Sequence, residues 1–191
     1  MADLARRPIA DQLALETPFV TGPGLAIALH EPICQALVSQ VDEDPGFEAA
    51  ARGVLGFDLP REPNRIAGEG VATTALWLTP RRWLVVAEEP GAAGLAARLD
   101  AALASAGGFV SDVTHGRAIF FLSGPAARDL VVMGCALEIG TALLPGRCAR
   151  TDFASLHALI HAHGTGYRLS VDRVFARHMA DWLIEAATAV G

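Results

Sequence analysis

Short apolar runs come in pairs along this chain, and each pair is followed by one stretch whose apolar residues recur at helical spacing. Runs of about five to eight residues bounded by Gly, Pro or Asp read as strands, and a stripe at i, i+4, i+7 and i+8 reads as a helix. Leu25–His30 and Cys34–Val41 form the first pair, separated by Glu31-Pro32. Asp42 to Pro45 then caps a helix whose apolar face is Phe47, Ala51, Val54 and Leu55. Val71–Leu78 and Trp83–Ala87 form the second pair, turned at Thr79-Pro80-Arg81-Arg82. The helix after it spans about 91–106, with Leu95, Leu99, Ala102 and Leu103 on one stripe and Gly107-Gly108 at its end. In the third group Phe109–Val113 and Ala118–Leu122 flank Thr114-His115-Gly116, which reads as a hairpin loop. Pro125 has the φ of a first helical turn, so Ser123-Gly124-Pro125 opens a helix through Leu130 and Val131, with Ser123 or Gly124 as cap. The last group has three strands, Cys148–Phe153, Leu156–Ala162 and Tyr167–Val171, with His163-Gly164-Thr165-Gly166 turning the last two. Its helix covers about 173–189 and presents Phe175, Met179, Trp182, Leu183 and Ala186. Residues 11–24 read as an extended lead-in, and 57–70 and 140–146 as loops.

This order predicts an α+β fold of antiparallel strand pairs with helices packed on one face. Single strands do not alternate with single helices, which argues against a doubly wound nucleotide-binding sheet. The expected organisation is a lead-in at 1–24 and a domain at 25–191, either one unit or two packed halves of about 25–106 and 107–191.

Hydrophobic residues make up 52% of the chain, with few aromatics. Arg, Asp or Glu interrupts every long apolar stretch, so no run approaches the roughly 20 residues that span a bilayer. An apolar chain without a membrane span fits a domain with part of its surface covered by partners. The net charge of −6 excludes a nucleic-acid footprint. The first ten residues lack the apolar core of a signal peptide and read as a polar tail, which implies a cytoplasmic protein. Cys34, Cys135 and Cys148 form no CxxC pair and read as small buried residues.

No GxGxxG or GxxxxGK pattern is present, and Gly22-Pro23-Gly24 is turn chemistry. His157, His161 and His163 share one strand face and can be read as zinc ligands. With no carboxylate or Cys at ligand spacing, a face covered by a partner or by solvent is the better reading. His115, Ser111 and Asp112 are neighbours in sequence only, and a catalytic triad is assembled by the fold. Asp112 is placed to accept backbone N–H groups of the Val113–Gly116 turn. Arg117 can pair with Asp112 or with a carboxylate of a partner chain. Trp77, Trp83 and Trp182 are readable as a stacking platform for a flavin or pterin, or as core or interface anchors.

Asp112-Val113-Thr114, Arg117 and Leu122-Ser123-Gly124-Pro125-Ala126-Ala127-Arg128 together resemble the central motif of the gamma subunits of heterotetrameric sarcosine oxidases. Those subunits belong to the superfamily of folate-binding aminomethyltransferases. Trp77-Leu78-Thr79-Pro80-Arg81-Arg82-Trp83, Gly146 to Thr151, and Val171-Asp172-Arg173 with Trp182-Leu183 match in the same order. Thr114 and Val174 stand where serine is expected in that family, and Arg81-Arg82 where an acidic pair is more usual. The resemblance implies an aminomethyltransferase-like fold and a non-catalytic structural subunit. Its interface or family-motif candidates are Trp77, Trp83, Asp112, Arg117, Gly124, Pro125, Thr151 and Arg173. It implies alpha, beta and delta partner subunits holding FAD, FMN, NAD and tetrahydrofolate, with no cofactor, catalytic residue or metal on this chain. The alternatives are a stand-alone folate-dependent one-carbon or aminomethyl transfer protein, or a subunit of a related N-methyl amino acid dehydrogenase. A pterin presents donors that want a carboxylate acceptor, and His157 to Arg168 contains no Asp or Glu. That argues against folate binding by this chain.

Overall fold

The strand Arg82–Ala87 shows how the chain is layered in the computed structural model, which describes residues 8–68 and 72–190. Trp83, Val85 and Ala87 are wholly buried on one face, against helices, and Leu84 and Val86 are buried on the other, against a second sheet. A strand buried on both faces is continuously apolar, as this one is.

Among the described residues the strands are β1 (Val20–Thr21), β2 (Ala26–His30), β3 (Cys34–Gln40), β4 (Ile66–Ala67), β5 (Thr73–Thr79), β6 (Arg82–Ala87), β7 (Gly108–Asp112), β8 (Arg117–Ser123), β9 (Cys148–Phe153), β10 (Leu156–His163) and β11 (Gly166–Asp172). They form a six-stranded sheet, β1-β2-β8-β11-β10-β9, and a five-stranded sheet, β4-β5-β6-β3-β7, with every pairing antiparallel. The helices are α1 (Ile9–Leu13), α2 (Gly46–Leu55), α3 (Leu95–Leu103), α4 (Ala127–Gly134), α5 (Ile139–Ala142) and α6 (Ala176–Val190). Helices α2 and α3 cover the outer face of the five-stranded sheet, through Phe47, Ala51, Leu95, Leu99 and Leu103. Helices α1, α4, α5 and α6 cover the outer face of the six-stranded sheet. The inner faces meet through Leu76, Leu84, Val86, Ile119, Cys148 and Leu159. The layers therefore run helix, sheet, sheet, helix, and each sheet carries its helices on one face as the sequence predicts.

The expected hairpin at Thr114-His115-Gly116 and the first expected strand pair are both crossings between sheets. Strand β7 pairs with β3 in the five-stranded sheet, and β8 pairs with β2 and β11 in the six-stranded one. Thr114-His115-Gly116 is thus a link between sheets, and so is Glu31-Pro32-Ile33 between β2 and β3. The links lie side by side. The Gln35 backbone N–H donates to Thr114 Oγ1 at 2.9 Å, its amide donates to the Thr114 carbonyl at 3.1 Å, and Val113 N–H donates to the Gln35 carbonyl at 2.8 Å. Turn residues suit a hairpin or a crossing equally, and these long-range bonds decide between them. The sheets accordingly draw on residues 34–112 and on 20–30 with 117–172, not on halves cut at 106/107.

Smaller departures have local causes. The lead-in is not simply extended, because Ile9–Leu13 is a helical turn with Ile9 and Leu13 buried and Val20–Thr21 pairs with β2. The helix expected over 91–106 is a 3-10 turn, Pro90–Ala92, followed by α3, with Gly94 between them at φ 78°. Phe175 sits in the 3-10 turn Arg173–Phe175 ahead of α6 and is 44% exposed, off the apolar stripe. Loops 57–70 and 140–146 contain β4 and α5. Helix α4 starts after Ala126, which has no side-chain cap, so Pro125 lies before the helix. Val71, the Glu69-Gly70 end of the loop before it, and tail residues 1–7 lie outside the described residues.

Candidate functional site

The inner faces touch at one end and splay apart at the other. On the five-stranded sheet, pairing sets three rows across the inner face: Thr74–Val86–Gln35, Leu76–Leu84–Leu37–Ser111 and Thr79–Arg82–Ser39–Phe109. Val86 and Gln35 are buried, Leu37 is half-buried, and Arg82 and Phe109 are exposed. On the six-stranded sheet the corresponding rows are Ala28–Phe121–Arg168–His161–Cys148, then His30–Ile119–Ser170–Leu159–Arg150, then Arg117–Asp172 with His157–Asp152. The open end is a cleft of about 860 Å³ lined by Leu37, Leu84, Arg82, Leu159, Arg150 and the last of those rows.

Arg117 is held by its own chain. Its Nε donates to Ser170 Oγ at 2.8 Å, Nη2 to the Ser170 carbonyl at 2.9 Å and Nη1 to Asp172 Oδ1 at 2.9 Å. Burial and the neighbouring Arg150 charge push its pKa down while Asp172 pushes it up, yet a guanidinium stays charged throughout the physiological range. Its intramolecular carboxylate is Asp172, not Asp112. Asp112 instead accepts from the Thr114 N–H at 2.9 Å and from its hydroxyl at 2.6 Å, which fixes the link between the sheets. His157 Nδ1 lies 2.6 Å from Asp152 Oδ1. Arg82 and Arg150 approach from opposite walls, and among the described residues neither guanidinium has a hydrogen-bond or ion-pair partner.

The closed end holds a charged cluster in which Arg168 is buried and Glu88 and His30 are half-buried. Arg168 donates to Glu88 Oε1, and His30 Nε2 lies 3.4 Å from the same oxygen. Burial works to raise the Glu88 pKa, but Arg168, with His30 and His163, outweighs it and holds the carboxyl below its ordinary range. Burial, then the charge of Arg168, lowers His30, and the same causes with His163 lower His161 to about 3. Of the three histidines expected on one face, His161 is buried, whereas His157 is exposed in the open cleft, and the described residues contain no group of three or more side chains placed to hold a metal ion. Cys148 is buried with its thiol pushed up to about 12, and Cys34 is raised by burial too, so neither is a ready nucleophile.

The tryptophans do not form a platform. Trp83 is fully buried beneath the outer helices, donates to the Pro60 carbonyl at 2.7 Å and packs 5.7 Å from Phe47, which places it in the core. Trp77 is half-buried against the same core, and Trp182 meets Phe153 edge-on at 5.2 Å. Gly124, at φ 101°, brings the chain against Gly24, whose carbonyl accepts from Ala126 N–H, and Pro125 follows it. Thr151 lines the cleft, and Arg173 joins Gly116 through a backbone bond of 2.9 Å.

A cleft of this size admits a pterin-sized ligand. Two carboxylates reach it, Asp152 and Asp172, from strands outside the His157–Arg168 stretch, but Asp172 already pairs with Arg117 and Asp152 already lies against the His157 ring. Residues do not fit a nucleotide or flavin either, since no glycine loop cradles phosphate. Among the described residues no nucleophile–base pair is assembled. What the walls offer is two arginines for an anionic group. Sequence parity places His157 and Leu159 on one face, but no local pattern brings Arg82 opposite Arg150.

A model of the family described as sarcosine oxidase, gamma subunit matches residues 40–189. The sarcosine oxidase subunit gamma of an Arthrobacter species is 34% identical over 142 residues, 73% of this chain and 69% of that one. The subunit gamma of Corynebacterium sp. (strain P-1) is 34% identical over 154 residues, 80% and 74% of the two chains. A chain of the heterotetrameric sarcosine oxidase from Corynebacterium sp. U-96, in complex with pyrrole 2-carboxylate, superimposes with a TM-score of 0.81 at 28% identity, covering 97% of this chain and 96% of that one. Aminomethyltransferase T of the glycine cleavage system from Bartonella henselae shares the fold, with a TM-score of 0.59 at 14% identity over 92% of this chain and 48% of that one.

Proposed function

This chain belongs to the sarcosine oxidase, gamma subunit family, and from that we propose that it is the structural, non-catalytic subunit of a heterotetrameric sarcosine oxidase. The observation that carries this reading is the near end-to-end superposition on a chain of such an assembly. Its partners are the alpha, beta and delta subunits, which hold FAD, FMN, NAD and tetrahydrofolate. The complex oxidises sarcosine to glycine with oxygen, giving hydrogen peroxide and a one-carbon unit that tetrahydrofolate accepts. This chain stabilises the assembly in the cytoplasm. No helix among its described residues is long and apolar enough to cross a membrane. Side chains such as Val174, 83% exposed, and Val132, 54% exposed, are apolar surface of the kind that assembly covers. Co-expression of the tagged chain with the three partner subunits tests the proposal. A co-eluting complex with sarcosine-dependent peroxide formation is expected, and partner subunits that assemble and turn over equally well without this chain would refute it.

A further inference from the structure

We propose that the open end of the cleft between the sheets receives a segment of a partner subunit, carrying a carboxylate side chain flanked by apolar residues. The inference rests on the subunit reading and names the surface it uses.

Charge is the first ground. Arg82 on β6 and Arg150 on β9 face one cleft from its two walls, and neither has a partner among the described residues. The acids that share the cleft are already committed, Asp172 to Arg117 and Asp152 to His157. The lining carries three arginines, Arg82, Arg117 and Arg150, against two carboxylates, Asp152 and Asp172, so within a chain of net charge −6 the cleft keeps a local excess of positive charge for an anion that its own walls do not supply.

The apolar rim is the second ground. Phe109 lies in the same cross-strand row as Arg82, at the edge of the five-stranded sheet, and is 44% exposed. Val41, just beyond β3, is 54% exposed. Past the end of the other wall, after Asp172 and Arg173, Val174 and Phe175 are 83% and 44% exposed. A small anion is served by the arginines alone and leaves these side chains in water. A protein segment uses both, and aromatic and arginine residues are what a buried interface centre is enriched in.

The test compares Arg82→Glu/Arg150→Glu with the parent in the co-expressed complex and in the isolated chain. Arg98→Glu, on the exposed side of α3, is the charge-matched control. The expected result is a near-parental melting curve for the isolated chain, an apparent Kd for assembly weakened at least about 30-fold, and a control that assembles normally. If the double reversal lowers the melt, Arg82→Gln/Arg150→Gln is read instead, with a several-fold weakening expected. Sodium succinate is titrated into the isolated chain as the small-acid arm. Micromolar succinate binding that Arg150→Gln abolishes, together with unimpaired assembly of the variants, assigns the cleft to a small ligand and overturns the inference. So do variants, or a control, that assemble indistinguishably from one another. A parent chain that does not assemble at all overturns the subunit reading, whereas a parent that assembles as well as its double reversal overturns only the docking surface.

Discussion

His161 and Arg117 show how single residues of the inner faces carry separate duties. Neutral His161 is buried, and its folded pKa of about 3 lies below the ordinary 6.5. Between those values the unfolded chain binds the extra proton and the folded chain does not. Stability therefore falls as pH falls through this window, by about 1.4 kcal/mol per pH unit for the one group. Lowered Glu88 acts in the same direction further down, since its contribution is lost as pH falls through its folded pKa. The expected outcome is a melting temperature that drops from pH 7 to pH 5, with a shallower drop in His161→Leu. Equal slopes for the two proteins would contradict the assignment. Arg117→Ala removes three hydrogen bonds and leaves the Ser170 hydroxyl, in a residue 5% exposed, without its donor. A loss of about 2 kcal/mol in denaturant unfolding is expected, only partly restored by lysine, which lacks the planar fork. An unchanged midpoint would assign Arg117 to the interface alone. The sequence pointed to Arg117 and to Asp112, but not to the partner of Arg117. Ser170 and Asp172 lie on β11, more than fifty positions away, and nothing local encodes that pairing.

At the scale of elements, strands and helices were legible because each is buried in a periodic way. Trp83, Val85 and Ala87 alternate with Leu84 and Val86, and Met179, Leu183 and Ala186 share the buried face of α6. Which strand pairs with which was less legible. Gly116 permits a tight turn, yet the choice of crossing over hairpin lies with Gln35, nearly eighty positions before its partner Thr114. Short pieces such as β1, β4 and α5 have too few residues to show a period. The splayed end of the cleft was invisible for a related reason, since it depends on where two sheets stop touching. The turn ahead of α4 allows a direct test. A Cβ on Gly124 would sit 2.4 Å from the Gly24 carbonyl oxygen, on a residue at φ 101°. Gly124→Ala should lose about 2–3 kcal/mol from the combined strain and clash. Chemical denaturation measures it, and a midpoint within error of the parent would mean that the 22–25 turn moves aside at little cost.

For the molecule as a whole, the chain purified alone is expected to be colourless and to show no flavin on denaturation, because its sequence holds no glycine motif for a nucleotide phosphate. Calorimetric titration with tetrahydrofolate is expected to give no dissociation constant at or below about 1 μM, or −8 kcal/mol, since Asp152 and Asp172 are both engaged. Yellow protein with stoichiometric flavin, or micromolar folate affinity, would remove the non-catalytic reading. The two side-by-side links between the sheets have a kinetic consequence. Every strand of the five-stranded sheet comes from the continuous interval 34–112, whereas β2 must wait for β8, which pairs His30 with Ile119. Closing that long loop costs entropy before any contact repays it. The inserted sheet should therefore gain protection from hydrogen exchange first during refolding. Its completion, by bringing Gln35 and Thr114 together, would then shorten the search by which β2 finds β8.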